Sequence, residues 1–442
     1  MTQLRARRLA SPPSARGRTS ARRYLWLGAC AALSASACGS NGGQTGDEHN
    51  GLQELKGVAQ RLSVSGALPN SASSDGWNFG WKFYAEEAKP GVNAFFSPYS
   101  ISVASAMLIA GAAGETKNEM QAALEFSSEG DDFHQARNTV SQALASRNRP
   151  GNADSNAQAL RVSNDLWLAP GFRPANSFLD TLSGYYGAST FLAPFSTKPE
   201  VARQAINGKV ADDTEQLIPE LLPVGSISGD TVFVLTNAVY FKSHWANEFS
   251  KAATVNQVFH AQSGASPEVP TMHAVLAAGH FAGPDYEAVA LPYDRNELEF
   301  VAVMPAEGSF DAFSRDLTAA SMASITGQLV RAQLDLSLPK FGIESEVPLK
   351  DRLQALGMQA AFTDSADFSG IAAGAYLSDA FHDAVITIDE EGTEAAAATA
   401  FTAVETSAPA APIPVVFDHP FVFFIRDVQT NALLFVGHYA NP

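Results

Sequence analysis

The sequence predicts one large domain of the α+β class, and two observations support this. The chain has 442 residues with 46% hydrophobic content, which is enough to bury a large core. Strand-like runs and helical patterns are intermixed without a regular βαβ alternation, which favours a mixed α+β domain over a doubly wound sheet. No repeat of about 20 to 50 residues indicates a solenoid or a propeller, and no clear linker divides residues 75–442.

Residues 1–37 differ from the rest of the chain. They include no acidic residue and seven arginines, namely Arg5, Arg7, Arg8, Arg16, Arg18, Arg22 and Arg23. An apolar run over 24–37 completes the segment and ends in small residues directly before Cys38. This order is typical of an export signal, and the apolar core is too short to predict a membrane span. The alternative is a disordered basic tail.

Only two cysteines are present, and Cys30 lies inside the predicted signal. The exported chain therefore has no partner for a disulfide at Cys38. Cys38 is followed by a glycine-rich stretch over 39–43, and this arrangement resembles a bacterial lipoprotein signal. The resemblance implies lipidation of Cys38 with a flexible tether behind it. Ala35 departs from the pattern, in which leucine is usual, and cleavage of an ordinary signal is the alternative.

The charge of the chain excludes several classes of partner. The net charge is −17, and without the seven N-terminal arginines 22 of the 29 basic residues remain against 46 acidic ones, a net charge of −24. Such a body does not attract nucleic acid or anionic membranes. We therefore expect no nucleic-acid partner, and membrane attachment only through a lipid anchor at Cys38. We expect the protein to be bacterial and to be either extracellular or anchored to the outer membrane.

Composition predicts a linker after residue 37, and helical patterns predict the helices that follow it along the chain. Residues 38–74 are rich in Gly, Ser, Asn and Gln and predict a flexible linker with at most one short helix, over 51–62. Ser97 and Pro98 are typical of a helix start, as cap and first helical residue. The helix that follows is almost wholly apolar, which predicts central burial. The predicted helices are 77–88, 99–110, 115–124, 178–186, 201–214, 310–317, 319–331 and 348–356.

Strand-like runs of β-branched and aromatic residues alternate with these helices along the chain. The predicted strands are 165–168, 231–241, 286–292, 299–304, 333–338, 381–388, 421–426 and 433–439.

Four separated blocks carry a family resemblance. They are 93–101 (NAFFSPYSI) with 111–116 (GAAGET); 236–242 (TNAVYFK) with Trp245; 336–341 (LSLPKF) with 367–371 (DFSGI); and 382–399 (HDAVITIDEEGTEAAAAT) with 418–423 (DHPFVF). In this order and spacing, over about residues 75–442, they resemble the serpin family of serine protease inhibitors. One departure is Lys209, which stands where tryptophan is usual in the family.

The resemblance implies a serpin fold with three β-sheets, about eight or nine helices and an exposed reactive-centre loop. It also implies a monomer that acts as a pseudo-substrate inhibitor of a serine protease and is not an enzyme. The protease cleaves the loop, forms an acyl-enzyme, and is trapped when the loop inserts into the central sheet. No cofactor or metal is expected.

The loop can be delimited from its residues. An inserting strand cannot contain proline, which lacks the donor that the ladder needs, and residues 393–408 contain none, whereas Pro409, Pro412 and Pro414 follow. The insertable segment is thus Thr393 to about Ala408. Alternation places Thr393 on the core side and Glu394 in water. The predicted hinge comprises Glu390, Glu391, Gly392, Thr393, Glu394, Ala395, Ala396, Ala397, Ala398 and Thr399. The alternative is that Glu394 begins a short alanine-rich helix or linker.

Family spacing from Gly392 implies that the scissile bond is Thr406–Ser407. Small apolar residues precede it, which suggests a target with a small specificity pocket, such as an elastase- or subtilisin-like enzyme. Glu405 leaves a second choice, the bond Glu405–Thr406, for which a glutamate-specific protease would be the target. A bond at Val404 is a third possibility.

Trp245, Lys340 and Glu390 should lie together where the loop enters the sheet, if their family positions carry over. Lys340 and Glu390 are then a predicted ion pair that gates insertion. The alternative is two solvated charges worth under about 1 kcal/mol.

Two other functions remain open. A non-inhibitory serpin would act as a carrier, but such relatives usually have bulky or charged residues or proline in the hinge, and 395–398 is all alanine. A hydrolase with a Ser-His-Asp triad is the other, since triads are recognised by geometry and not by sequence order. The chain has none of the usual hydrolase or metalloprotease motifs, and His244, His382 and His419 are expected to be structural.

Overall fold

Two hydrogen-bonded sheets organise the residues that the computed structural model describes, which are 48–49, 52–64, 68–151, 157–393 and 411–442. All of them belong to one compact unit, Gln44–Pro442. The strands are β1 Glu48–His49, β2 Leu52–Leu55, β3 Ala94–Phe96, β4 Ala159–Leu168, β5 Thr190–Leu192, β6 Phe233–His244, β7 Val255–Val258, β8 Glu268–Ala282, β9 Tyr286–Pro292, β10 Leu298–Pro305, β11 Val330–Pro339, β12 Phe341–Val347, β13 Leu377–Ile388, β14 Gly392–Thr393, β15 Ile413–Val416, β16 Phe421–Asp427 and β17 Leu433–Tyr439.

The α-helices within these described ranges pack around the two sheets. They are α1 Asn70–Glu87, α2 Pro98–Ile109, α3 Gly114–Ala123, α4 Gly130–Ala145, α5 Asn176–Thr181, α6 Pro199–Asp213, α7 Phe310–Arg315, α8 Ala319–Gln328 and α9 Leu349–Ala355. A π-helical turn, Leu182–Tyr186, continues α5. None of the helices in the described part of the chain has both the length and the hydropathy to cross a membrane.

The strand order shows how the three predicted sheets are connected. The first sheet runs β1-β2-β5-β4-β6-β14-β13-β12, and the second runs β15-β11-β8-β9-β10-β16-β17-β3 with β7 beside β8. β8 is 15 residues long and pairs with β11 over most of its length and with β9 at its end. The small third sheet, β15-β11-β8-β7, is therefore continuous with the second. The α+β class is confirmed.

The predicted apolar helix lies at the centre of the molecule as α2. The Ser97 hydroxyl accepts a hydrogen bond from the Ser100 amide (3.2 Å), and Pro98 is the first helical residue, so this start forms as predicted. Every residue of α2 except Tyr99 is buried. Since α2 packs against both β6 of the first sheet and β17 of the second, it joins the two sheets through one core.

The segment before α1 differs from the prediction. The short helix predicted over 51–62 is wrong, because Leu52–Leu55 forms a strand that pairs with β5 at the edge of the first sheet. Beyond it, the Val58 amide donates to Asp180 (2.8 Å) and the Leu62 amide donates to the carbonyl of Gly184 (2.8 Å). The predicted linker over residues 38–74 therefore contains folded structure, with α1 already begun at Asn70.

Candidate functional site

The first sheet is split between β6 and β13. The two strands pair in parallel from Phe233 opposite Leu377 to Ala238 opposite Asp383. We call this paired part the closed seam. Beyond it, residues 239–242 of β6 and 384–387 of β13 have no ladder partner in each other within the described ranges, and we call this space the gap. At the far end of the gap, β14 lies between the two strands, with Thr393 opposite both Ser243 and Ile388.

A tight turn leads from β13 into β14. The Asp389 carboxylate accepts hydrogen bonds from the amides of Glu391 (2.9 Å) and Gly392 (3.2 Å), which is the local bonding that favours aspartate in turns. Gly392 has φ +157°, and a Cβ there would lie 2.1 Å from the carbonyl oxygen of Ser243. Only glycine fits between the turn and β6. The turn therefore delivers Thr393 into the sheet.

Thr393 faces the core, as its predicted parity requires. Its side chain is buried, and its hydroxyl is 2.7 Å from the Tyr293 hydroxyl. The Tyr293 ring stacks on Trp245 with centroids 4.6 Å apart. The first residue of the predicted insertable segment is thus held by a buried hydrogen bond on an aromatic platform.

Trp245, Lys340 and Glu390 all lie around this turn. The Lys340 ammonium is 2.8 Å from one oxygen of Glu390, and the Thr254 hydroxyl donates to the other (2.7 Å). The Trp245 ring N–H donates to the carbonyl of Asp389 (2.9 Å). Burial alone would raise the pKa of Glu390, but the hydrogen bonds from Lys340 and Thr254 outweigh it and lower the pKa. Glu390 is only 4% exposed, so the alternative of two solvated charges does not describe this pair.

Glu391 extends the same cluster in a way that the sequence did not indicate. Its side chain is 3% exposed and forms an ion pair with Lys251, and the hydrogen bond to Glu391 raises the pKa of Lys251. Lys251 belongs to a three-residue 3-10 turn, Lys251–Ala253, and Thr254 follows it. Such a short element has no periodic signal, so neither residue could be assigned to the site from its pattern.

The closed seam has a buried polar network of its own. His382 of β13 accepts a hydrogen bond from the Ser97 amide at Nε2 (3.0 Å), and its Nδ1 is 2.5 Å from the Asn237 side-chain oxygen on β6. Asn237 in turn donates to the Ser100 hydroxyl (2.6 Å) and to Asn164 of β4. Burial lowers the pKa of His382 to about 3, so the imidazole is neutral and its Nδ1–H donates to Asn237.

This network was missed as a functional feature, since the sequence predicted only a structural role for His382. The histidine is indeed buried, but it bridges the two strands that must separate if a further strand enters. The available signal was that Ser97, Asn237 and His382 fall in three different blocks of the family resemblance.

Some predicted site residues lie outside the described residues. They are Cys38 of the predicted lipidation site, Glu394, Ala395, Ala396, Ala397, Ala398 and Thr399 of the hinge, and Glu405, Thr406 and Ser407 of the predicted reactive bond. The described residues resume at Ala411, and β15 pairs in parallel with β11. His244 has a local partner in Glu248, whereas His419 lies between the adjacent Asp418 carboxylate and the Pro305 carbonyl of β10.

The described residues thus form an α+β fold in which a two-residue strand, Gly392–Thr393, lies between two long strands of a sheet. Comparison with known proteins agrees, because the family model "Serpin (serine protease inhibitor)" matches residues 76–442. The chain belongs to the serpin family. Its members are mostly protease inhibitors that act on target proteases and are not enzymes, although some are non-inhibitory.

Relatives of both kinds are similar to the chain. An uncharacterised serpin-like protein of Thermococcus kodakarensis is 35% identical over 370 residues, which is 83% of this chain and 84% of the relative. The leukocyte elastase inhibitor of Xenopus tropicalis is 32% identical over 79% of this chain and 93% of its own length. Among solved structures, the thermophilic serpin tengpin in its native state has a TM-score of 0.77 at 26% identity, covering 88% of this chain and 98% of its own. Human thyroxine-binding globulin has a TM-score of 0.73 at 28% identity, covering 84% and 98%.

Proposed function

We propose that this protein inhibits serine-type proteases by covalent trapping, driven by insertion of Thr393 to about Ala408 between β6 and β13. The observation that carries this proposal is the seating of β14 in the gap. Thr393 already makes the first antiparallel pairs with both neighbours, so further residues extend an existing strand and no new one has to nucleate.

The observed register predicts how far insertion proceeds without resistance. In an antiparallel ladder each step forward on one strand is a step back on its partner. From Thr393 opposite Ser243 and Ile388, Glu394 would lie opposite Lys242, and residue 397 would lie opposite Val239 and Ala384. Residues 394–397 therefore fill the gap. Ala398 would meet Ala238 and Asp383, where the closed seam begins, so deeper insertion must separate β6 from β13.

Ladder formation offers the driving force for that separation. A net 0.5–1.5 kcal/mol per hydrogen bond gives on the order of 10 kcal/mol for about a dozen new bonds. In the proposed mechanism the protease serine attacks the carbonyl carbon of Thr406, and the amine of Ser407 leaves, which produces an acyl-enzyme and a free loop. Insertion then carries the acyl-enzyme along and deforms it. Loss of one oxyanion-hole donor costs about 10²–10³ in rate, which is enough to delay deacylation.

The target is proposed to be an elastase- or subtilisin-like protease with a small specificity pocket. Ala403 and Val404, which precede the bond, are small and apolar. Similarity to a relative named as a leukocyte elastase inhibitor supports the same class. Glu405–Thr406 stays as the second choice of bond, with a glutamate-specific target.

The test is incubation with a panel of elastase-, subtilisin-, trypsin- and glutamate-specific proteases, followed by denaturing electrophoresis and sequencing of the released C-terminal peptide. We expect a denaturant-resistant complex and a peptide that begins at Ser407. A peptide that begins at Thr406 would identify the second bond. As a matched variant, Thr406→Arg should transfer trapping to trypsin. Cleavage in the loop by every protease without any covalent complex would contradict the proposal.

We further propose export, with attachment through Cys38. The support is the order of basic residues, apolar core and cysteine at the N-terminus. Labelling of a bacterial expression host with a radioactive fatty acid should mark the wild type and not Cys38→Ala. Equal labelling of both, or labelling of neither, would exclude the anchor.

A further inference from the structure

A cavity of ≈490 Å³ lies between β4 and the helices α2, α4 and α6. The apolar part of its wall is formed by buried residues of α2, α4 and β4, among them Val103, Met107, Leu144 and Leu160. Small-molecule sites in proteins have volumes of about 300–1,000 Å³ and combine an apolar wall with a few polar groups. The cavity is therefore large enough to hold a small organic ligand.

Arg61, in the segment that follows β2, lies at one end of this cavity. Its guanidinium donates hydrogen bonds to the Tyr186 carbonyl (2.9 Å), the Ser141 hydroxyl (3.0 Å) and the side-chain oxygen of Asn138 (3.3 Å). All three acceptors are neutral, and within the described ranges no carboxylate forms an ion pair with Arg61. Desolvation lowers the pKa of Arg61. An anionic group that enters the cavity would therefore meet a cation that is already positioned and has no charged partner.

The other end of the cavity lies at α6 and carries an excess of negative charge. The Lys209 ammonium is 2.6 Å from the Asp213 carboxylate on the same helix and 3.1 Å from the Asp165 carboxylate on β4. Asp212, which is exposed, also lines the cavity. Three carboxylates against one ammonium leave this end negative, so it favours a cationic group.

The segment 186–189 runs along the cavity wall and connects the two ends. The carbonyl of Tyr186 accepts a hydrogen bond from Arg61, and the carbonyl of Ser189 accepts one from the amide of Leu166, which directly follows Asp165. Three residues span at most about 10 Å. The positive and the negative end are therefore separated by about the length of a di- or tripeptide.

We propose that this cavity binds a zwitterionic di- or tripeptide, with its carboxylate at Arg61 and its ammonium at Asp212. Arg161 also lines the cavity but pairs with Glu215 (2.6 Å), which leaves Arg61 as the cation for the carboxylate. The apolar wall between the two ends receives the side chains of the peptide. Arg61 precedes residues 76–442, which match the family model, so membership of the family does not imply this site. The inference is independent of the proposed function.

The test is isothermal titration calorimetry of the full chain with the tripeptide Ala-Leu-Ala. Three blocked forms of the same peptide are compared with it, one N-acetylated, one C-amidated and one blocked at both ends. We expect saturable binding of one free tripeptide per chain. Each single block should weaken binding about tenfold, because it removes one charge-assisted contact at a partly exposed site. No saturable binding of the free tripeptide, or equal binding of the free and the doubly blocked peptide, would overturn the inference.

Variants assign each end of the peptide to its residue. Arg61→Gln should weaken binding of the free tripeptide about tenfold and leave binding of the C-amidated form unchanged. Asp212→Asn should likewise weaken binding of the free tripeptide and leave binding of the N-acetylated form unchanged. Arg173→Gln, at an exposed position outside the cavity lining, should bind every form as the wild type does. If Arg61→Gln weakens the free and the amidated peptide equally, Arg61 does not recognise the carboxylate and the inference is wrong.

A further variant tests the place of binding without removing a side-chain hydrogen bond. Ala145 is exposed at the end of α4 and lines the cavity. Ala145→Trp should narrow the cavity and weaken binding of the free tripeptide at least tenfold, while the midpoint of denaturant unfolding stays that of the wild type. Undiminished affinity in the folded variant would place the peptide outside the cavity and would overturn the inference.

Discussion

The closed seam and the gap are parts of the same two strands, yet they are held in opposite ways. Along the closed seam, β6 and β13 pair directly and a buried network through His382 and Asn237 links them. At the gap, the two strands do not pair with each other, and among the described residues only Gly392 and Thr393 lie between them. Under the proposed mechanism, the gap is an entrance with room for four further residues, 394–397, and the closed seam directly behind it is a lock. Substitutions at the entrance should alter the first step of loop insertion. Substitutions at the lock should alter whether β6 and β13 separate without cleavage of the loop.

The largest effect on inhibition is expected at the entrance, for Gly392→Val. The new side chain collides with the Ser243 carbonyl in a backbone conformation that valine avoids, so β14 cannot seat. We expect loss of the covalent complex, with the protein cleaved as a substrate, and a loss of about 3 kcal/mol in unfolding free energy. Denaturing electrophoresis measures the covalent complex, and denaturant titration measures the unfolding free energy. As a control, Gly208→Ala in α6, where a Cβ meets no atom, should stabilise by about 0.5–1 kcal/mol.

At the lock, Asn237→Ala should be the next largest change. It leaves His382 without its acceptor and Ser100 without a donor in a buried site, which costs roughly 2–4 kcal/mol for two lost partners. A loosened seam should also let the loop of one molecule enter the sheet of another, which size-exclusion chromatography after mild heating would detect as oligomers. Asn118→Ala, at an exposed position in α3, should stay within about 0.5 kcal/mol of wild type. A variant at Asn237 that is equally stable and remains monomeric would contradict the idea of a lock.

Low pH should also weaken the lock, through protonation of His382. The pKa of His382 is lowered to about 3 by burial, from an unfolded value near 6.5. The neutral imidazole is favoured only in the folded chain, so its contribution to stability is complete above pH 6.5 and is lost as the pH falls toward 3. At pH 5 the loss is about 2 kcal/mol. The difference in unfolding free energy between pH 7 and pH 5 should be smaller by this amount in His382→Gln than in wild type. An unaltered difference would exclude His382 as its source.

The smallest effect is expected for Lys340→Met at the entrance. Glu390 keeps its hydrogen bond from Thr254, but its buried carboxylate loses the charged partner, at a cost of about 1 kcal/mol because Lys340 itself is 39% exposed. The pKa of Glu390, which lies below its usual value of 4.5 in the wild type, should rise in this variant, so the stability that the wild type loses as the pH falls below about 4.5 should be lost to a smaller extent in Lys340→Met. Charge reversal, Glu390→Lys, should raise the inhibitor consumed per protease and promote oligomers. Unchanged values of both would exclude a gating role for the pair.

The sequence predicted best what depends on local pattern. β9 and β17 span the predicted residues 286–292 and 433–439, and the Ser97 cap and the buried α2 form as expected. These elements can be recognised from periodicity and capping chemistry, which depend on residues that are neighbours in the sequence.

Elements that depend on distant partners were less accessible. β8 was not predicted although it is 15 residues long, and α1 begins at Asn70 within residues that resemble a linker. Ser73 and Asp75 there are buried because the Thr430 carbonyl and Arg137 satisfy them, and nothing near these residues in the sequence signals such partners. The same limit applies to the site, since the pairing of Lys340 with Glu390 came from family resemblance, whereas the burial of Glu390 and the roles of Thr254 and Lys251 needed the fold.

Insertion of the loop should change the heat stability of the protein, which can be compared before and after cleavage. A protease that cuts anywhere between residue 400 and Ala408 frees the loop without any need for trapping. If the loop inserts, the cleaved protein gains on the order of 10 kcal/mol from new ladder bonds, and we expect its unfolding temperature to rise by roughly 10–20 °C. An unfolding temperature that is unchanged or lower after complete cleavage would contradict insertion and would favour a carrier function for this member of the family.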